Sequence, residues 1–119
     1  MKINIIEFTE DQSSVNGTLV LFAFKGEEGY VLSPSSKNLD GQVGGAVTKA
    51  ADGSKFKAKF GQMVEIIAPT GIAASRLLLV GLGDAEKFDG GGAEKIGGKI
   101  ILRMMHSGEK KLTLLSRKF

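Results

Sequence analysis

The sequence predicts a layered α/β domain built on a mixed β-sheet, and three observations carry that prediction. Residues 18–24 and 76–82 are unbroken β-prone or leucine-rich runs, the pattern of strands covered on both faces. Two other stretches place apolar residues at three- and four-residue steps, as a helix with one buried face does. The link from Ala68 to Arg76 is too short for a helical crossover, so the strands it joins are expected to be antiparallel neighbours or to be separated by one short turn.

The elements follow in order. Residues 2–8 hold Ile3, Ile5, Ile6 and Phe8 and read as a first strand, followed by a polar connection over 10–17. The strand over 18–24 comes next, and residues 25–29 turn the chain. Ser33-Pro34-Ser35-Ser36 offers hydroxyls to cap a helix that runs to about Ala51, with Leu39, Val43, Ala46, Val47 and Ala50 on one face. Gly44 and Gly45 fall inside it and each cost about 1 kcal/mol relative to alanine, an expense that close packing on the sheet would explain. Residues 55–60 alternate lysine with apolar side chains and predict a half-exposed strand or strand-like arm. Residues 63–68 form another strand, Ala68-Pro69-Thr70-Gly71 a turn, and residues 76–82 a buried strand. A loop over 83–92 leads to a second amphipathic helix marked by Ala93, Ile96, Gly97, Ile100, Ile101, Met104 and Met105. Ser107-Gly108-Glu109 ends it, and residues 111–116 form a last strand. The order is β-β-α-β-β-β-α-β. The chain stops on a strand where an α/β domain ordinarily adds a helix, so the domain is expected to be truncated at its C-terminal end.

Composition narrows the chemistry. A chain of 119 residues makes one domain. With no cysteine, disulfides, zinc ribbons and thiol nucleophiles are excluded. The opening residues lack a signal peptide's apolar core, and no apolar run approaches the roughly 20 residues that span a bilayer, so a cytoplasmic location without membrane contact is expected. The net charge of +3 is ordinary for a soluble protein and does not announce a nucleic-acid binder. His106 is the only histidine, and nothing near it suggests a catalytic triad. Asp84, Glu86 and Asp89 form the one dense acidic group, without the spacing of a calcium loop.

Two weaker patterns suggest binding. Gly81 and Gly83 follow a buried strand, and Gly90, Gly91 and Gly92 precede a helix, so their N–H groups could hold an anion such as a nucleotide phosphate. The third glycine of a dinucleotide loop is missing, since Glu86 stands there. Lys55, Lys57 and Lys59 interleave with Phe56 and Phe60, and Lys95, Lys99 and Arg103 form a stripe at four-residue steps, so both could track a nucleic-acid backbone. The alternative places the phenylalanines in the core and the lysines in water.

An ordered set of blocks resembles a known family. Phe56-Lys57-Ala58-Lys59-Phe60-Gly61-Gln62, then Met63-Val64-Glu65-Ile66-Ile67-Ala68-Pro69, then Arg76-Leu77-Leu78-Leu79-Val80-Gly81-Leu82-Gly83 are similar to the N-terminal domain of the leucyl (cytosol) aminopeptidases. The helix from Leu39-Asp40-Gly41 to Gly44-Gly45-Ala46-Val47 and the strand over 18–24 fit the same pattern. The resemblance implies a three-layer, macro-domain-like α/β/α sandwich. It further implies a homohexameric parent enzyme that removes N-terminal residues, preferably leucine, using two divalent metals, manganese or zinc, in a C-terminal catalytic domain. The family's catalytic Asn-Thr-Asp-Ala-Glu-Gly-Arg motif occurs nowhere in this chain, so no catalytic or metal residue is expected here. Residues 1–119 are then a non-catalytic domain whose partners are its own catalytic domain and sister subunits.

Overall fold

The computed structural model describes residues 5–9, 17–27, 29–105 and 111–115. Among the described residues six strands form one sheet: β1 (Ile5–Thr9), β2 (Thr18–Gly26), β3 (Gly29–Leu32), β4 (Met63–Ile67), β5 (Arg76–Gly81) and β6 (Lys111–Leu115). Their order is β1-β6-β2-β5-β4, with β3 pairing to β2 off that path. β1, β6, β2 and β5 run parallel, whereas β4 is antiparallel to β5, the first of the two arrangements the short link after Ala68 allows. Ala23 pairs with Gly81 on one side and Leu32 on the other, so β3 takes the same edge of β2 that β6 takes at Thr18–Val20.

Side chains of β2 and β5 alternate between two cores, because successive strand residues point to opposite faces. On one face Leu19, Leu21, Ala23, Leu77 and Leu79 pack with Leu39 of helix α1 (Pro34–Gln42) and with Val47 and Ala51 of helix α2 (Ala46–Gly53). On the other, Val20, Phe22, Leu78 and Val80 pack with Ile96, Ile100 and Met104 of helix α3 (Gly90–Met104). The domain is therefore a three-layer α/β/α sandwich, with both central strands buried on both faces.

The polar gap along β2 between β6 and β3 is closed by serines. Phe22 N–H donates to Ser36 Oγ at 3.1 Å, and Ser33 N–H donates to the Phe22 carbonyl at 3.0 Å. Both serines are buried, and Ser33 is also the N-cap of α1. The residues predicted as cap hydroxyls thus also satisfy a central strand.

Four expectations need correction. The first predicted helix is two helices, because Gly44 and Gly45 adopt φ of 68° and 81° and break the ladder after Val43. They do not serve close packing: a Cβ on either would meet nothing within 4 Å. Asp40 bridges the break, accepting from the N–H groups of Val47 (2.8 Å) and Thr48 (3.1 Å) and from the Thr48 hydroxyl. Residues 55–60 are an irregular arm and not a regular strand, since Lys55 (φ 56°) and Ala58 (φ 57°) are left-handed, and Gln62 Oε1 gathers the N–H groups of Lys57 and Lys59. The alternation survives without the strand: Phe56 and Ala58 are buried and the three lysines exposed. β3 (Gly29–Leu32) is a strand where the sequence predicts only a turn before Ser33. α3 begins at Gly90 and takes the glycine triplet into its first turn, three residues before the predicted start. His106, Ser107-Gly108-Glu109 and Ser116 lie outside the described residues.

Candidate interaction site

At Gly81 and Gly83, where the glycine-rich loop leaves β5, the main-chain donors are occupied by the chain itself. Gly81 N–H donates to the Gln62 carbonyl at 2.7 Å, and Gly83 N–H to the Ala58 carbonyl at 2.9 Å. A Cβ on Gly81 would stand 2.4 Å from the Lys59 carbonyl oxygen and 2.7 Å from Ala58 Cα, so glycine is needed there to admit the arm. Gly83 is glycine for its left-handed φ of 76°. Lys25 N–H donates to the Gly83 carbonyl at 2.9 Å and extends the β2–β5 pairing. At the start of α3, Asp89 is the N-cap and accepts from Gly92 N–H at 2.8 Å. The carboxylate of Asp89 therefore occupies the place that an external anion would take beside that amide. Gly90 and Gly91 share this first turn without side-chain ligands of their own. Of the neighbouring acids, Asp84 pairs with Lys87 at 3.7 Å.

Among the described residues no three histidine, cysteine, aspartate or glutamate side chains converge.

Of the six basic candidates, Lys99 and Arg103 come together at a different place. Lys95, Lys99 and Arg103 lie exposed along α3, and Lys55, Lys57 and Lys59 lie exposed on the arm. The end of the arm meets the helix stripe at one point: the Lys99 side chain lies along Gly61, its Cδ 3.0 Å from where a Cβ would stand. Gly61, Met63, Lys99, Leu102 and Arg103 line a shallow groove of about 290 Å³ there. Beneath it, Glu65 takes two guanidinium groups, Arg76 Nε at 3.4 Å and Arg103 Nη2 at 3.6 Å. The Arg76 contact is an ion pair that lacks hydrogen-bond alignment. The sequence reading missed Glu65 and Arg76. A charge inside the apolar run Met-Val-Glu-Ile-Ile was the available signal, since it needs a cation on the same face.

Tyr30 belongs to the opposite face, where its ring packs edge-on to Phe56 at 5.4 Å and its hydroxyl donates to Asp52 at 2.9 Å. Burial, and then that hydrogen bond, push its phenol up to about 12. This pairing fixes β3 to α2 and offers no acid or base near neutrality.

Residues 20–116 match the family model described as the cytosol aminopeptidase family, N-terminal domain. The chain belongs to that family. It is 32% identical over 111 residues to a probable cytosol aminopeptidase of Rhodopseudomonas palustris (strain BisA53), a match covering 93% of this chain and 22% of that protein. A probable cytosol aminopeptidase 1 of Shewanella oneidensis is 36% identical over 100 residues, covering 84% of this chain and 19% of that protein. The chain thus spans about a fifth of the length of these relatives and corresponds to the N-terminal domain of a cytosol aminopeptidase. A solved tomato leucine aminopeptidase mutant superposes with a TM-score of 0.68 at 19% identity, over 98% of this chain and 24% of that one, which shows the shared fold. No helix among the described residues is long and apolar enough to cross a membrane.

Proposed function

We propose that this domain is the non-catalytic N-terminal part of an enzyme that removes N-terminal residues, preferably leucine, from peptides. In this reading the hydrolysis belongs to a catalytic domain holding two divalent metals, manganese or zinc. The present domain supports a cytoplasmic homohexamer and shapes access to its active sites, with its own catalytic domain and sister subunits as partners. One observation carries the reading: the match to the family's N-terminal domain runs from residue 20 to residue 116, and the relatives are several times longer.

The test is an assay of leucine release from a chromogenic leucyl amide. The 119-residue chain is expected to show no turnover with or without manganese. The full coding product, read through beyond Phe119, is expected to show turnover that a chelator removes. Metal-dependent turnover by the 119-residue chain alone would overturn the reading.

A nucleotide-type pocket at Gly81, Gly83, Gly90, Gly91 and Gly92, or nucleic-acid contact through Lys55, Lys57, Lys59, Lys95, Lys99 and Arg103, draws no support from the comparisons. Calorimetry with millimolar ADP-ribose tests the first, and a gel shift at low salt tests the second.

A further inference from the structure

The exposed edge of the sheet at β4 has features that the aminopeptidase reading does not use. Gly81 N–H bonds the Gln62 carbonyl and Ala68 N–H bonds the Ser75 carbonyl, which fixes the alternation of the β4–β5 ladder. Val64 and Ile66 therefore turn their main-chain groups toward β5. Met63, Glu65 and Ile67 turn theirs outward, where no described strand pairs with them. An open row of this kind is a template for another extended chain.

The side chains beside this row set the chemistry of what it would take. Ile67, opposite Arg76 in the register, is 60% exposed, and Leu102 on α3 is 69% exposed, so apolar surface flanks the edge. Arg76 and Arg103 share the single carboxylate of Glu65, and Lys99 has no ion pair among the described residues. The groove is thus apolar with surplus positive charge. We infer that the β4 edge docks an extended, acidic and apolar segment of a partner polypeptide, which joins the sheet as a further strand beside Lys99, Leu102 and Arg103. Main-chain bonding would supply the pairing, and the Lys99 and Arg103 charges would select acidic side chains. Outward amides and exposed leucine favour a peptide over a nucleic acid, which needs cations but no strand edge. The inference stands independently of the aminopeptidase reading.

The probe is a blocked ten-residue peptide alternating glutamate with valine, titrated at low salt into the isotope-labelled 119-residue chain. Saturable shifts are expected at the amides of Met63, Glu65 and Ile67 and at the Leu102 methyls. Ile67→Pro removes one outward donor and leaves the β5 ladder its bonds, so binding should weaken at least tenfold. Lys99→Glu should weaken it about tenfold, and a lysine–valine peptide should not bind. Should Ile67→Pro fail to fold, Leu102→Asp at an exposed site carries the same expectation. No shift at millimolar peptide, shifts confined to other surfaces, or unchanged binding by the folded variants would overturn the inference. Stronger displacement of the same signals by a short DNA duplex would overturn it too, assigning the face to nucleic acid.

Discussion

At the carboxyl end of β5 the amides of Gly81 and Gly83 donate to Gln62 and Ala58, within 2.9 Å, and the arm lies so close that no side chain fits at Gly81. Along β4, Met63, Glu65 and Ile67 face outward with no described strand beside them. The two regions belong to neighbouring strands, yet one has its hydrogen bonds met inside the chain and the other leaves them to water or a partner. A glycine cluster thus marks where the chain approaches itself, and the outward-facing row lies where no glycine pattern points.

Substitutions sharpen that contrast. Gly81→Ala sets a methyl group against the arm's backbone, which cannot swing aside as a flexible side chain would. It is expected to cost about 3 kcal/mol, read as a lowered midpoint in urea denaturation. Ser36→Ala leaves the Phe22 N–H buried without an acceptor and should cost about 1–3 kcal/mol by the same measurement. Asp40→Ala removes the acceptor that joins α1 to α2, with an expected loss of about 1 kcal/mol. Leu102→Ser, beside the open edge, should change stability by no more than about 0.5 kcal/mol. If Leu102→Ser proved as damaging as Gly81→Ala, the contrast between the regions would collapse.

Tyr30 gives a pH-dependent check on the packing of β3 against α2. Its phenol titrates near 12 in the folded chain and near 10 unfolded, so the native state holds the proton more tightly. The stability from this group is fully present below about pH 10 and lost as pH rises toward 12. Tyr30→Phe should flatten that part of the stability–pH curve, measured by denaturation across the range.

Much of the fold was legible because burial sets a period. Residues 18–24 and 76–82 read as doubly covered strands, and the short link after Ala68 excluded a helical crossover, leaving two arrangements of which the structure realises the antiparallel pairing. Gly44 and Gly45 misled because a glycine in a helical pattern looks the same whether it packs tightly or turns left-handed. The arm misled because Phe56, Ala58 and the lysines alternate in burial without extended backbone, and Gln62 holds that shape through contacts no periodicity shows. β3 is four residues long at an edge, too short for a pattern. At the candidate site, Lys99 and Arg103 were visible as a stripe, but their meeting with Gly61, Glu65 and Arg76 depends on the register of β4 against β5 and on how α3 lies across it.

Amide hydrogen exchange followed by NMR on the 119-residue chain tests the central contrast most directly. The amides of Gly81 and Gly83 are expected to exchange slowly, with those of Val64 and Ile66, while Met63, Glu65 and Ile67 exchange fast. Fast exchange at Gly81 and Gly83 together with protection at Met63, Glu65 and Ile67 would contradict it.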